Sequence, residues 1–129
     1  MDEDVEGPGP PGATVLLIDD DALILRALQM LIARAGYQVV AARDSQAALE
    51  AAREHAEREH AIQGIVIDVV LPGTTGYAVA DAVSRLHPAA RVLYMSGFGE
   101  MPFERRGARF LAKPFSAAEL MRELDDMLS

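Results

Sequence analysis

The stretch from Gly64 to Gly73 contains the sequence feature that most restricts the fold: three β-branched residues lead directly into a single carboxylate. The run from Ile65 to Ile67 has the composition of a strand buried on both faces, as strands of parallel sheets are. Asp68 follows this run, and Pro72-Gly73 ends the extended segment soon afterwards. Asp68 is therefore expected where a central strand opens into a loop, the place where ligands bind in open α/β sheets.

Four other short apolar runs alternate with helical patterns along the chain. The predicted strands are Val15 to Ile18, Tyr37 to Ala41, Ile65 to Ile67, Val92 to Met95 and Arg109 to Ala112. Strands that alternate with helices through short connections predict βαβ units, with a parallel sheet covered on both faces. Because crossovers are right-handed, few topologies remain. The sequence predicts a doubly wound α/β fold with a five-stranded parallel sheet in the flavodoxin-like order 2-1-3-4-5.

The predicted helices carry boundary signals. The first is expected to bury Ile24, Leu28, Leu31 and Ala35 and to end at Gly36. The second should begin at Asp44 or Ser45 and reach about His60. The third should run from Gly76 to Leu86 with an apolar face of Val79, Val83 and Leu86. Ser116 and Glu119 have the spacing of a capping box, so the last helix should start there, with Leu120, Leu124 and Met127 buried.

Composition excludes several classes of protein. The 129 residues suffice for one domain, with residues 1–13 as a flexible acidic, Pro/Gly-rich tail or linker and residues 14–129 as the folded part. The chain has no cysteine, which excludes disulfides and thiolate zinc sites. The net charge of −8 argues against direct nucleic-acid binding. No apolar run approaches a membrane span, and the acidic start is not a signal peptide, so a cytoplasmic protein without membrane contact is expected.

Polar residues follow four of the five predicted strands. They are Asp19-Asp20-Asp21, Asp68, Ser96 and Lys113, after the first, third, fourth and fifth strands. In the predicted order these strands are neighbours, so the side chains should converge on one crevice. The second strand offers only Ala41-Ala42, at the edge of the sheet.

This set of residues predicts Mg²⁺-dependent phosphoryl transfer onto an aspartate. Clustered carboxylates repel one another unless a cation is present, and oxygen ligands suit Mg²⁺. A lysine ammonium and a serine hydroxyl are donors suited to a phosphoryl group, and a carboxylate can itself be the nucleophile. Taken singly, each feature has a simpler interpretation: Asp68 as a cap, the acidic run as a helix N-terminus, Ser96-Gly97 as a turn and Lys113 as a surface residue.

Together, the motifs resemble the receiver domain of two-component response regulators (the CheY-like superfamily), from about Thr14 to Ser129. The residues that carry the resemblance are Val15 to Asp21, Asp68 to Pro72, Ser96-Gly97 and Lys113-Pro114-Phe115. The segment Val92 to Gly97 is similar to receivers of hybrid histidine kinases. The Pro/Gly-rich start would suit a fragment of such a kinase, and a stand-alone receiver is the other possibility.

The resemblance implies a role for each site residue. Asp68 would accept a phosphoryl group from a histidine kinase or a histidine phosphotransfer protein, and the domain would then switch binding of an output partner whose identity the sequence does not give. Mg²⁺ would be held by Asp20, Asp68 and the backbone carbonyl of Val70, with Asp19 acting through water. Lys113 would pair with the phosphoryl oxygens. Ser96 would hydrogen-bond the phosphate and draw Phe110, the aromatic switch residue, inward.

One segment departs from the family pattern. Only thirteen residues separate Ser96 from Phe110, and a complete crossover with its helix needs at least about 10–12 residues. The fourth helix of the family is therefore expected to be shortened or missing, which brings the usual output surface into question. Thr75-Gly76 replaces the Asp-Gly of many members and is expected to alter only the cap of the third helix.

Two other functions remain open at this point. Asp19 to Asp21 contains the Asp-x-Asp pattern of haloacid-dehalogenase-like phosphatases, but that family needs a further acidic pair at a strand end, and the only candidate is Asp125-Asp126 on the last helix. The other alternative is a receiver-like interaction module that is never phosphorylated. On the main interpretation the protein is not an enzyme, apart from promoting its own phosphorylation and dephosphorylation.

Overall fold

The central element of the fold is a five-stranded parallel sheet. A computed structural model describes residues 12–97 and 108–129 of the chain. The strands are β1 (Thr14–Ile18), β2 (Gln38–Ala42), β3 (Gly64–Asp68), β4 (Arg91–Ser96) and β5 (Arg109–Ala112). Their order is β2-β1-β3-β4-β5, and every neighbouring pair is parallel. The predicted fold class and strand order are confirmed.

Helices cover both faces of this sheet. They are α1 (Ala22–Arg34), α2 (Ser45–Glu57), α3 (Gly76–Leu86) and α4 (Ala117–Leu128). Alternate residues of each strand point to opposite faces, so Leu16 and Ile18 pack with α2 and α3, whereas Val15 and Leu17 pack with α1 and α4. β1 and β3 are buried along their whole length, as their continuous apolar composition predicts.

Side chains of the expected types cap the helices. Asp21 accepts hydrogen bonds from the amides of Leu23 and Ile24 at the start of α1, at 3.0 and 3.2 Å. Asp44 and Thr75 cap α2 and α3 in the same way. The predicted capping box at Ser116 and Glu119 is present, with both reciprocal hydrogen bonds. Gly36 follows α1 with φ +104°, a left-handed conformation that favours glycine.

The buried face of α1 differs from the prediction. The buried residues are Leu25, Leu28 and Ile32, whereas Ile24 and Leu31 are only partly buried. The apolar residues of α1 are distributed around most of its circumference. The 3.6-residue period therefore indicates a broad apolar face but does not locate the centre of that face. Packing against the sheet determines the centre, about one residue further along the chain than predicted.

Two further expectations were wrong at helix ends. α2 ends at Glu57 and not near His60, because Glu59 adopts a left-handed backbone conformation with φ +59° that stops the helix. Leu86 was expected on the apolar face of α3 but is 38% exposed, since it lies in the last turn of the helix.

A small hairpin follows β3 and was not predicted. Val70–Leu71 pairs with Thr74–Thr75 in antiparallel fashion around Pro72-Gly73. Gly73 has φ +73°, the positive φ that the residue after proline adopts in a Pro-Gly turn and that glycine allows without steric cost. The hairpin connects the end of β3 directly to the start of α3.

Two expectations fall outside the described residues. The flexible tail was predicted over residues 1–13, of which 1–11 are not described, and the shortened or missing fourth helix falls on residues 98–107. Ala13 is buried, and its carbonyl accepts a hydrogen bond from the Gln38 amide at 2.9 Å. Over residues 12–97 and 108–129, no helix has the length and apolarity that crossing a bilayer requires.

Tyr37 connects the amino end of β2 to α4. Its side chain is buried, and its hydroxyl donates a hydrogen bond of 2.7 Å to Oδ1 of Asp125. Burial, this hydrogen bond and the nearby negative charge all raise the pKa of Tyr37 above its ordinary value of 10.0. The contact therefore stabilises the folded state as long as the tyrosine keeps its proton.

Replacement of Tyr37 by Phe should lower the free energy of unfolding by about 1 kcal/mol near neutral pH, because one partly buried hydrogen bond is lost. Above pH 10.0 the unfolded chain releases the tyrosine proton before the folded protein does, so wild-type stability should fall as pH rises. That fall should be less steep in Tyr37→Phe. Urea unfolding across this pH range measures both effects. In an Asp125→Ala background the hydrogen bond is already lost, so Tyr37→Phe should lower the free energy of unfolding only slightly further. An equal loss in both backgrounds would contradict the assignment of this hydrogen bond.

Candidate functional site

Three charged side chains from three strand ends meet at the carboxyl edge of the sheet. The Lys113 Nζ atom lies 2.6 Å from Oδ2 of Asp68 and 3.2 Å from Oδ2 of Asp19. One ammonium therefore bridges two carboxylates. The contacts join residues separated by 45 and 94 positions in the chain, so only the tertiary fold brings them together.

Backbone hydrogen bonds hold these strand ends in register. The Lys113 amide donates to the Ser96 carbonyl at 2.7 Å, and the Val69 amide donates to the Met95 carbonyl at 2.9 Å. Ile18 of β1 lies opposite Ile67 of β3, so Asp19 and Asp68 leave adjacent strands side by side. The sheet itself therefore fixes the spacing of the charged groups.

Asp19 is the most deeply buried member of the group, with 1% of its surface exposed. Its Oδ1 atom accepts a hydrogen bond from the Asp21 amide at 2.9 Å. Burial raises the pKa of this carboxyl above its ordinary value, although the Asp21 amide and the Lys113 ammonium act in the opposite direction. The Lys113 ammonium therefore favours the ionised form of Asp19 against the effect of its burial.

Lys113 shows the complementary shift. Burial acts to lower its pKa, but the hydrogen bond to Asp68 and the charges of Asp19 and Asp68 outweigh burial, and the pKa is raised above its ordinary value. The ammonium is therefore held in its charged form by the two carboxylates.

Both oxygens of the Asp68 carboxylate have donors. Oδ2 accepts from Lys113, and Oδ1 accepts from the Val70 amide at 2.9 Å. Asp68 is buried, with 7% of its surface exposed. The loop after β3 thus orients the carboxylate at the point where the sequence analysis expected it.

Ser96 and Phe110 also lie near this edge. Ser96 is buried at the last position of β4. Phe110 is half-buried in β5, and its ring stacks on that of Tyr94 with centroids 5.3 Å apart. Ser96 is thus placed beside the loop that follows Asp68, and Phe110 lies three residues before Lys113.

Asp20, unlike Asp19, is exposed to solvent. With Arg43, Asp44 and Pro72 it lines an open cavity of about 540 Å³ beside the site. Arg43 was not among the predicted site residues, because the prediction for the second strand rested on its apolar end alone. Arg43 is the residue directly after β2. A cationic residue at a strand end could have identified it as a candidate site residue.

The side chains at this edge fit a hard divalent cation by charge and donor type. Asp19, Asp20 and Asp68 supply three carboxylates against one ammonium, and carboxylate oxygens are preferred ligands of Mg²⁺. Within the described ranges no three His, Cys, Asp or Glu side chains are grouped closely enough to hold a metal ion. The Mg²⁺ ligand set that the resemblance implies includes only two side chains, those of Asp20 and Asp68. Its third protein ligand is the backbone carbonyl of Val70.

Gly76 allows α3 to begin directly against the Asp68 backbone. A Cβ atom at this position would overlap the Asp68 carbonyl oxygen and would come within 3.0 Å of the Val69 Cα atom. The Gly76 amide also donates to the Val69 carbonyl at 2.7 Å. Glycine is therefore required here by close backbone approach, a role that the sequence analysis did not assign to it.

The acidic pair Asp125-Asp126 is far from this site. Asp125 bonds Tyr37, which immediately precedes β2 and so marks the amino edge of the sheet. Asp68 lies at the opposite, carboxyl edge. The second acidic pair that a haloacid-dehalogenase-like phosphatase needs is thus absent from the carboxyl edge among the described residues.

A doubly wound parallel sheet with an Asp-Asp-Lys cluster at its carboxyl edge is the architecture of receiver domains. Residues 15–125 match the family model of the response regulator receiver domain. The chain belongs to this family. It is thus a module of two-component signalling and not a classical enzyme; such domains pair with histidine kinases and are typically Mg²⁺-dependent.

Individual relatives are similar to this chain over most of its length. The chain is 26% identical over 121 residues to the uncharacterized transcriptional regulatory protein YbdJ of Bacillus subtilis, with 91% of this chain and 51% of the relative covered. It is 34% identical over 122 residues to the sensor kinase CckA of Brucella abortus, covering 90% of this chain and 12% of the kinase. The chain therefore spans only about half of the first relative and a small part of the second.

Solved structures agree with this family assignment. The crystal structure of the receiver domain from the hybrid histidine kinase CckA is 25% identical and superposes with a TM-score of 0.78, covering 91% of this chain and 100% of the other. The predicted resemblance is confirmed.

Replacement of Gly76 by Ala should lower the free energy of unfolding by about 1–3 kcal/mol, the usual cost of overpacking. The new methyl group has no flexible neighbour to displace, so the backbone around Asp68 must shift. Urea unfolding measures the cost, and amide NMR shifts of residues 68–76 locate the change.

The matched control is Gly64→Ala, whose Cβ would meet first only the Leu128 side-chain end, at 3.3 Å. That substitution should cost less than Gly76→Ala and should leave the amide resonances of residues 68–76 in place. Equal costs for the two variants would contradict the close contact at Gly76.

Proposed function

We propose that this receiver domain accepts a phosphoryl group on Asp68 from the phosphohistidine of a histidine kinase or a histidine phosphotransfer protein, and that the modified domain switches binding of an output partner. The observation that carries this proposal is the Lys113 ammonium, which lies 2.6 Å from Asp68 and also contacts Asp19. Such a buried acceptor with an adjacent cation has the features that phosphoryl transfer requires.

The chemical step is a displacement at phosphorus. A carboxylate oxygen of Asp68 forms the new P–O bond while the P–N bond of the phosphohistidine breaks. The imidazole nitrogen keeps the bonding electrons and takes up a proton. Because Lys113 already contacts the Asp68 carboxylate, its ammonium is positioned to pair with the phosphoryl oxygens after transfer.

Asp20, Asp68 and the Val70 carbonyl would hold Mg²⁺, with Asp19 contributing through a water molecule. When bound there, Mg²⁺ supplies positive charge that offsets repulsion between the carboxylates and the incoming phosphoryl group. The exposed position of Asp20 and the burial of Asp19 fit this division into a direct and an indirect contact.

Ser96 is proposed to hydrogen-bond the phosphoryl group, and Phe110 is proposed to act as the aromatic switch residue. Ser96 is buried at the end of β4, next to residues 69–75, hereafter called the acceptor loop; this position supports its role. The similarity to the CckA receiver also supports a place in a hybrid histidine kinase, with residues 14–129 as the receiver and residues 1–13 as a linker. The net charge of −8 supports a protein partner over direct contact with nucleic acid.

Incubation with acetyl phosphate and Mg²⁺ should add the mass of one phosphoryl group to the protein. The label should be absent in Asp68→Asn and should be lost when EDTA removes the metal ion. Intact-protein mass spectrometry measures the change. The control Asp126→Asn removes a carboxylate from the exposed side of α4 and should be labelled like the wild type.

An absence of Asp68-dependent labelling under these conditions would contradict the proposal. It would leave a receiver that acts as an interaction module without phosphorylation.

Replacement of Lys113 by Gln should slow labelling of Asp68 by about 100-fold, a typical effect of removing one preorganised charge-stabilising donor. The neutral amide cannot offset the charges of Asp19 and Asp68, and it cannot neutralise the phosphoryl oxygens. The initial rate of labelling at fixed acetyl phosphate and Mg²⁺ measures this loss.

Lys113→Arg keeps the positive charge but changes the donor geometry, so its rate should lie between those of the wild type and Lys113→Gln. A Lys113→Gln rate equal to wild type would show that the ammonium does not act in the transfer.

A further inference from the structure

Three aromatic rings from three elements pack together on the sheet face that α2 and α3 cover. Tyr77 of α3, Tyr94 of β4 and Phe110 of β5 are hereafter called the aromatic cluster. The ring centroids of Tyr77 and Tyr94 are 4.8 Å apart, those of Tyr94 and Phe110 5.3 Å, and those of Tyr77 and Phe110 6.4 Å. All three pairs lie within the range of about 4.5–7 Å in which aromatic rings attract one another.

Strand register explains one of these contacts and the helix explains the others. Tyr94 and Phe110 are direct partners in the β4–β5 pair, so their side chains emerge on the same face of the sheet. The two rings stack with an interplanar angle of 25°. Tyr77 comes from α3 and meets the edge of Phe110 at 64°. The Phe110 ring is thus held by a strand neighbour and by a helix.

The position of Tyr77 is tied to the acceptor loop. Tyr77 directly follows Gly76, where a Cβ atom would overlap the Asp68 carbonyl oxygen. The Gly76 amide is also hydrogen-bonded to Val69. Because α3 meets the Asp68 backbone directly at Gly76, a shift of that backbone is expected to move the adjacent Tyr77.

The first turn of α3 therefore lies between two groups to which the family resemblance gives a role. On one side is Asp68, whose carboxylate is paired with Lys113 at 2.6 Å. On the other side is Phe110, the switch residue of the resemblance, whose ring packs on Tyr94 and Tyr77.

We propose that Tyr77 is a positioning residue that holds the Phe110 ring in its packed position, and that the close fit at Gly76 couples this position to the acceptor loop. This inference rests on the proposed function, because it takes Asp68 as the acceptor and Phe110 as the residue that responds.

Fluorine NMR on protein labelled with 4-fluorophenylalanine tests the proposal. The chain has four phenylalanines, and Phe110→Leu assigns the resonance of interest. In the wild type, Phe110 should give the resonance of a packed ring both before and after acetyl phosphate and Mg²⁺ are added. In Tyr77→Leu, most of the difference from the free amino acid should be lost before any phosphorylation.

Three further variants separate ring packing from general damage. Tyr77→Phe keeps the ring and should restore the wild-type resonance. Tyr37→Leu makes the same change as Tyr77→Leu at a tyrosine outside the aromatic cluster, and it should leave Phe110 unaffected. Gly76→Ala alters the loop and keeps all three rings, and it should move the Phe110 resonance in the same direction as Tyr77→Leu.

Three results would overturn the proposal: an unchanged Phe110 resonance in Tyr77→Leu, a Gly76→Ala variant whose Phe110 resonance stays in place, or a wild-type ring that becomes packed only after phosphorylation. Mass spectrometry of the same samples keeps this test distinct from that of the proposed function. If Asp68 of the wild type is never labelled, the proposed function fails. If Asp68 is labelled but Phe110 does not depend on Tyr77, only the present inference fails.

Discussion

The contact of one lysine with two buried carboxylates is the interaction on which the rest of this site depends. Asp19 and Asp68 leave adjacent parallel strands, and both are almost fully removed from water. Two such charges repel each other unless a cation lies between them. Lys113 supplies that cation from the far edge strand, so β1, β3 and β5 must all be correctly registered before the site exists. The same contact raises the pKa of the lysine against the effect of its own burial.

The sheet topology makes this contact possible. In the order β2-β1-β3-β4-β5, the carboxyl ends of all five strands open on one edge, where helix N-termini and loops offer unpaired donors. Asp21 satisfies the first amides of α1, which leaves Asp19 for the lysine and Asp20 for the solvent side. Three consecutive aspartates therefore have three different environments, and their neighbours in the fold determine which one each occupies.

Close packing then connects the site to the face that α2 and α3 cover. α3 begins directly against the Asp68 backbone, because Gly76 has no side chain, and the next residue places its ring on Tyr94 and Phe110. Close-packed protein interiors transmit strain. The loop after Asp68 and the aromatic cluster are joined through a single helical turn, which is the basis of the proposed coupling.

The parallel sheet and the residues at four strand ends could be predicted from the sequence, because short apolar runs, helix caps and strand-end polar groups are local signals. The capping box at Ser116 and the glycine after α1 were predictable for the same reason, and the strand order followed from the handedness of crossovers and the flavodoxin-like pattern. Four features could not be predicted in this way: the centre of the α1 apolar face, the hairpin after β3, the need for glycine at position 76 and the place of Arg43 beside Asp20. Each of these depends on which atoms approach from distant parts of the chain, and periodicity within a segment carries no information about such contacts.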